Sequence, residues 1–397
     1  MIRHQLPAYS PVSAKAALLA AGQLSGMGED PRPALRALLQ REYDASSVVL
    51  CGSGTQALTL AIHEARRVVD AKAPVAIPAF SCFDVASAAI GADALVVLYD
   101  LDPETLSPDL TSLERALRAG ARVVIVAPLY GIPVDWGAIT DLTSRYQAVV
   151  IEDAAQGHGA SWNGKRFGSL GKIAILSFGR GKGWTGGTGG AILTSDSTGD
   201  PSAGGFLEPE FSQRVDVAIR VAAQWALARP DIYGLPLSIP ALRLGETTFL
   251  PPRAMRAMTR VAATTLLAMH DASAKEASVR QSNATTVIAG ITGSAHVKPI
   301  PTRSFTTAGY LRLPLRVKGG MESFPNAQRA LRLGITPSYP NSLAALPQLA
   351  GRIVAPYGVW PGAQTLVREL VTVPTHSRLR AHEVSEIIGI LRTVGKF

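Results

Sequence analysis

Between positions 47 and 194 the chain alternates two patterns. Short β-branched apolar runs at 47–51, 75–78, 94–99, 122–127, 149–152, 172–178 and 191–194 are bounded by glycines, prolines or charges and read as buried strands. Between them, apolar residues recur at helical spacing, at 34–43 after Pro33, at 55–66, beyond Asp109 and at 136–146. Such alternation predicts an α/β fold with a mainly parallel sheet, right-handed crossovers and helices on both faces.

Beyond 195 the pattern changes. A polar loop is expected at 196–205, an apolar helix carrying Arg214 and Arg220 at 213–228, a proline-rich irregular stretch at 229–253 and a mostly helical one at 254–289. Strands at 310–317, 334–339 and 370–374 then alternate with helices at 326–333 and 381–394, as in a small α+β domain. The expected organisation is an N-terminal arm over 1–30, a large domain over 31–255 with an irregular or helical insertion at 200–253, and a long helix with a small C-terminal domain over 256–397.

Composition narrows the partners. The 397 residues are 47% apolar and 17% charged, with a net charge of +9 that favours anionic ligands such as a phosphate-bearing cofactor or a nucleotide-linked substrate. No block of basic residues and no nucleic-acid motif accompanies that charge, so nucleic acid is not an expected partner. Cys51 and Cys82 lie in apolar stretches without metal-ligand spacing, which suits a reducing, cytoplasmic setting and no metal. No signal peptide and no apolar run long enough to span a bilayer is expected. The basic helix at 213–228 leaves peripheral membrane contact open, although such helices more often pack against a domain or subunit.

Candidate chemistry concentrates at 148–194. Asp153 follows one strand and Ser177 to Lys182 follow another, so they would face a common crevice at strand ends. A lysine amine and a carboxylate suit pyridoxal phosphate, which needs one group to hold its aldehyde as a Schiff base and another to keep its pyridine nitrogen protonated. Lys182 lies between Gly181 and Gly183, in a turn that lets its stem reach over the sheet. Taken singly, Lys182 also reads as a solvated loop lysine and Asp153 as a strand-end cap. Upstream, Gly52-Ser53-Gly54-Thr55 joins a strand to a helix and offers a phosphate cradle, or merely a tight corner.

These residues resemble the DegT/DnrJ/StrS sugar aminotransferases, within the fold-type I pyridoxal phosphate enzymes. The acid motif stands as Glu152-Asp153-Ala154-Ala155-Gln156-Gly157-His158-Gly159-Ala160, and the lysine motif as Ser177-Phe178-Gly179-Arg180-Gly181-Lys182. Ser53-Gly54-Thr55 with Ala57-Leu58 matches the family's phosphate turn. The resemblance implies that Lys182 forms the Schiff base, Asp153 pairs with the ring nitrogen, Gln156 contacts the phenolic oxygen, and Ser177, Gly54 and Thr55 hold the phosphate. An aromatic should stack on the ring, for which Phe83 and Cys82 compete; Phe83 is preferred, with a core position as its other reading. Pro374-Thr375-His376 resembles a late family signal, with His376 as a structural turn residue. Two departures stand out. Gly187-Thr188-Gly189-Gly190 lacks the usual carboxylate, and Gly245-Glu246-Thr247 lacks the usual asparagine.

The implied function is transfer of an amino group from an amino acid, commonly glutamate, to a keto sugar nucleotide, in a homodimer whose partner chain completes the site near 229–253. The apolar helices at 213–228 and 254–270 give that homodimer a physical basis. Two alternatives are an altered reaction such as dehydration, for which the family replaces the lysine by histidine, and a non-catalytic scaffold, which would need neither Lys182 nor Asp153.

Overall fold

The computed structural model describes residues 3–195, 206–237, 247–354 and 358–395. Its centre is a seven-stranded sheet built from β1 (Ser47–Cys51), β2 (Val75–Pro78), β3 (Val96–Tyr99), β4 (Val123–Val126), β5 (Val149–Asp153), β6 (Ile173–Ser177) and β7 (Gly190–Thr194), in the order β1-β7-β6-β5-β4-β2-β3. All neighbours are parallel except β7, which is antiparallel to both β1 and β6. The sheet is buried on both faces. Val75, Val96, Val123, Val124 and Ile125 expose no surface, and each such side chain contributes about 1.5–3 kcal/mol of burial. That is why the strands read as continuous apolar runs rather than as alternating ones.

Helices α1 (Ala14–Gly22), α2 (Pro31–Tyr43), α3 (Gly54–Val69), α4 (Phe83–Gly91), α5 (Leu110–Arg118) and α6 (Trp136–Arg145) accompany the sheet. Most start on a side-chain oxygen that accepts an orphan N–H: Asp30 for α2, Ser53 for α3, Asp109 for α5 and Asp135 for α6. Asp102 likewise does turn work, accepting the Glu104 N–H at 2.9 Å. Asp100 also accepts the N–H groups of Gly362 and Ala363, both at 2.8 Å.

The stretch expected to be irregular at 229–253 holds a helix, α8 (Pro230–Leu237), after α7 (Phe211–Leu227). Its internal glycine and proline hid it, because neither has helix propensity. The long helix α9 (Arg260–Gly290) begins later than 254. It leads to an antiparallel sheet ordered Val297–Pro299, Leu313–Val317, Leu370–Val373, Thr336–Pro337. The expected strand at 334–339 thus shrinks to Thr336–Pro337. The polar loop at 196–205 and the residues Gly245 and Glu246 lie outside the described residues.

His376 is 1% exposed and ties the ends of the chain together. Its Nε2–H donates to the Leu6 carbonyl at 2.8 Å, and its Nδ1 accepts from the Arg378 N–H at 3.2 Å. Burial holds its pKa down at about 4, and burial beside Arg280 holds that of His158 down at about 3. Both folded values lie below the unfolded one, so this stability is fully present above the unfolded pKa and is lost as pH falls through the window down to the folded values. Between pH 7 and pH 5 each histidine should cost about 2 kcal/mol of folding free energy. Urea denaturation at both pH values tests this. Buried Glu152, raised to about 7, acts in the opposite sense over this range, so the test is the difference between variants. His376→Gln should remove about 2 kcal/mol of the loss between pH 7 and pH 5, and an unchanged dependence would contradict the assignment.

Candidate active site

Because β1 and β6 both run antiparallel to β7, they share a direction with β2, β4 and β5, and the carboxyl ends of all five meet at one edge. A cleft opens there, lined by Gly54, Thr55, Asp153, Gln156, Ser177 and Lys182. These are all the residues singled out from the sequence except Phe83.

The phosphate-type cradle is built from β1 into α3. Ser53 caps α3 by accepting the Gln56 N–H at 3.2 Å, which leaves the first turn of a sixteen-residue helix facing the cleft. Gly54 has no room for a side chain, since a Cβ there would lie 2.5 Å from Ser177 Cβ and Oγ. Glycine therefore lets the helix start and the end of β6 meet. Thr188 Oγ1 donates to the Gly52 carbonyl at 2.9 Å, so where the usual carboxylate is absent a hydroxyl ties the glycine turn to the cradle.

Asp153 and Glu152 face opposite ways at the end of β5. Asp153, 8% exposed, accepts the Ala155 N–H at 3.1 Å. Burial raises its pKa, and the positive charge of Lys182 opposes that shift, which places amine and carboxylate within electrostatic reach. Glu152 points behind the site, where it accepts the N–H groups of Gly168, Leu170 and Gly171 at 2.6, 2.8 and 3.3 Å. Burial pushes its pKa up to about 7 against those bonds. The two acids of one motif thus divide into a site residue and an anchor.

The lysine loop is braced from two sides. The Gly183 N–H donates to Ser10 Oγ at 2.9 Å, bringing the N-terminal arm over the loop. Arg280 of α9, fully buried, donates to the carbonyls of His158 at 2.9 Å and Gly309 at 3.1 Å. Gly183 has φ +82°, and a Cβ there would sit 3.1 Å from His158 Nδ1 and 3.2 Å from an Arg280 nitrogen, so only glycine fits.

Gln156 is held by tyrosines that sequence reasoning did not single out. Its Oε1 accepts the Tyr130 N–H at 2.9 Å and its Nε2 donates to the Tyr339 hydroxyl at 2.8 Å. Tyr130 adopts φ +57°, a strained conformation for a side-chain-bearing residue, and that turn aims its N–H at Gln156. Tyr339 stacks on Tyr130 with ring centroids 6.5 Å apart and packs on Phe80 at 5.4 Å. Phe83, expected over the cofactor ring, instead packs in the hydrophobic core at 5% exposure, and Cys82 lines the cleft in its place. The reason is helical phase. Cys82 caps α4, and Phe83, its first residue, turns inward.

Residues 17–206, which carry Gly54, Thr55, Asp153, Gln156, Ser177 and Lys182 but not Ser10, Arg280, Gly309 or Tyr339, match the model of the DegT/DnrJ/EryC1/StrS aminotransferase family. Over that stretch, a little under half of its length, the chain is similar to that family. Among its relatives, an L-glutamine:2-deoxy-scyllo-inosose aminotransferase of Streptomyces kanamyceticus is 32% identical over 176 residues, covering 44% of this chain and 41% of the relative. The match therefore spans less than half of the relative's length. The sugar aminotransferase CalS13 of Micromonospora echinospora superposes with TM-score 0.74 at 19% identity, covering 99% of this chain and 100% of that one. Spr1654 of Streptococcus pneumoniae, solved in a PLP-form, superposes with TM-score 0.74 at 20% identity, covering 99% of each chain. At such identities the likeness shows a common fold over the whole chain, that of the fold-type I enzymes. The acid and lysine motifs thus sit on the seven-stranded sheet, whereas Tyr339 follows the Thr336–Pro337 strand of the four-stranded one.

Proposed function

We propose that this chain is a pyridoxal phosphate-dependent aminotransferase that passes an amino group from an amino-acid donor such as glutamate to a keto sugar nucleotide. The observation that carries the reading is the convergence of Lys182, Asp153 and the Gly54–Ser177 cradle in one cleft. The donor set fits the cofactor: an amine for its aldehyde, a buried carboxylate for its ring nitrogen, and a helix N-terminus with a hydroxyl for its phosphate. The cofactor, when bound, supplies an electron sink for the carbanion formed at the substrate carbon.

The protein's own residues do the rest. Lys182 Nζ, released when substrate amine replaces it, takes the proton from the substrate carbon and returns it to the neighbouring position. Asp153 keeps its charge beside the ring nitrogen, and Gln156, pinned by Tyr130 and Tyr339, keeps its remaining N–H for the phenolic oxygen. An adjoining cavity of about 670 Å³, lined by Arg180 and Arg220 among others, suits an anionic sugar nucleotide. That the Streptomyces kanamyceticus relative is an L-glutamine:2-deoxy-scyllo-inosose aminotransferase supports the reaction class. L-glutamate or L-glutamine added to cofactor-loaded protein should convert the visible band to the near-ultraviolet band of the aminated form, and a keto acceptor should restore it. Protein that binds pyridoxal phosphate but shows no conversion with any amino acid would reject transamination.

The homodimer belongs to the same reading. The expected apolar face of α9 is already spent, since Val261, Ala262, Ala263 and Leu266 are buried in the chain's own core. Exposed apolar side chains remain on α1 and α7, where Leu18 is 74%, Phe211 59% and Ile219 61% exposed. Faces of this kind are covered in obligate dimers that bury more than about 2,000 Å². Sedimentation should give a dimer at micromolar concentration, and Ile219→Glu should shift it toward monomer; a stable wild-type monomer would refute the assembly. Among the described residues no helix is long and apolar enough to cross a membrane, and a cytoplasmic setting completes the proposal.

A further inference from the structure

Helix α7 forms one wall of the 670 Å³ cavity beside Lys182. Arg220, Gln224 and Leu227 line it at i, i+4 and i+7, with Ala223 beside them, so one helical face presents a charge, a carboxamide and two aliphatic side chains. Val217 and Val221 are buried on the adjoining face. A Cβ at Gly187 would lie 2.8 Å from Val221 Cγ2, so the helix is seated on the glycine turn that follows Lys182, and that seat fixes which side chains meet the cavity. Gln224 joins the wall to the lysine loop. Its Oε1 accepts from the Thr185 hydroxyl at 3.2 Å, and Thr185 Oγ1 accepts the Gly187 N–H at 3.0 Å. Among the described residues nothing bonds Gln224 Nε2, which is left to the cavity. Tyr233 of α8 is buried against the same cavity, and its hydroxyl likewise has no partner among the described residues. Burial raises its pKa, so it stays a neutral donor.

Two neutral hydrogen-bonding groups thus stand unpaired beside an aliphatic surface, in a cavity that also holds the Lys182 amine. No Asp or Glu lines that cavity among the described residues, so a cationic ligand finds no counter-charge there, and an anionic group is drawn to the arginines. Gln224 and Tyr233 call for a neutral partner that both donates and accepts, and a hydroxyl does both. Neighbouring hydroxyls on a saturated ring can bond the carboxamide and the phenol while the ring's C–H face packs on Ala223 and Leu227. A ketone without hydroxyls would leave both groups desolvated and unpaired. We propose that Gln224, with Tyr233, recognises the hydroxyls of a polyhydroxylated ring in the amino acceptor and so selects which ketones reach Lys182. The chemistry is common to the sugar of a sugar nucleotide and to a free cyclitol. This assignment deepens the aminotransferase reading above and rests on it.

Calorimetric titration of the purified, cofactor-loaded protein with UDP-glucose and with scyllo-inositol, neither of which carries a ketone, reads ring binding without catalysis. Wild type should bind, and the tighter probe identifies the source of the ring. Gln224→Leu should weaken that probe about 10-fold and Tyr233→Phe about fivefold, with the visible band and the melting temperature kept. A second readout is the rate at which a ketone restores the visible band of the aminated protein. For scyllo-inosose or a keto derivative of UDP-glucose, that rate, taken relative to the rate with α-ketoglutarate, which has no hydroxyl, should fall about 10-fold in Gln224→Leu. Wild type that binds neither probe, or probe binding within about twofold of wild type in both variants, would overturn the assignment. So would an equal loss with the hydroxylated ketone and α-ketoglutarate, since that marks a merely structural role. If a probe binds through Gln224 yet no amino acid ever converts the visible band, the ring subsite stands and only the reaction assignment falls.

Discussion

Replacing Lys182 by alanine should abolish amino transfer, lowering turnover by about 10⁴-fold or more. In the proposed reaction Lys182 has two roles that would be lost together, the covalent hold on the cofactor and the group that carries the proton at the substrate carbon. The variant should remain folded. Lys182 lines the open cleft, and the loop around it is held by Gly183 through Ser10 and by Arg280 packed against His158, bonds that do not use the Lys182 side chain. Its melting temperature should stay within a few degrees of wild type while its visible absorbance is lost. Added primary amines should restore part of the proton transfer, because the space vacated by the side chain opens to the cleft. A Lys182→Ala protein with undiminished turnover would rule out its assigned role.

Asp153→Asn should be the second large effect. The amide is nearly isosteric and can still accept the Ala155 N–H, so the fold is retained. It cannot carry a negative charge, and a ring nitrogen that loses its counter-charge gives up its proton and with it the capacity to stabilise a carbanion. The expected loss is roughly 10³-fold in kcat, the scale found when a preorganised electrostatic partner is removed. Cofactor affinity should fall far less, because the lysine and the phosphate cradle remain. Equal kcat values for Asp153→Asn and wild type, with the cofactor bound in both, would contradict the pairing.

The parts of this site that sequence alone revealed share a physical cause. Asp153, Ser177 and Gly54 each follow a short β-branched run, and burial on both faces makes such runs conspicuous. Helix α4 did not announce itself. Its residues are mostly alanine, serine and glycine, buried on every side, so no apolar stripe marks its phase. With the phase unknown, nothing local could decide between Cys82 and Phe83. Tyr130 and Tyr339 were invisible for a different reason: they meet only because the four-stranded sheet folds back on the seven-stranded one, and no spacing along the chain encodes that meeting.

The central claim is that Lys182 holds pyridoxal phosphate covalently, with Asp153 and the Gly54–Ser177 cradle around it. The most direct measurement is borohydride reduction of the protein loaded with pyridoxal phosphate, followed by peptide mass spectrometry. The account predicts a stable pyridoxyl-phosphate adduct on the peptide that contains Lys182, close to one per chain, with the visible band lost on reduction. An adduct spread over surface lysines, or none on Lys182, would contradict it.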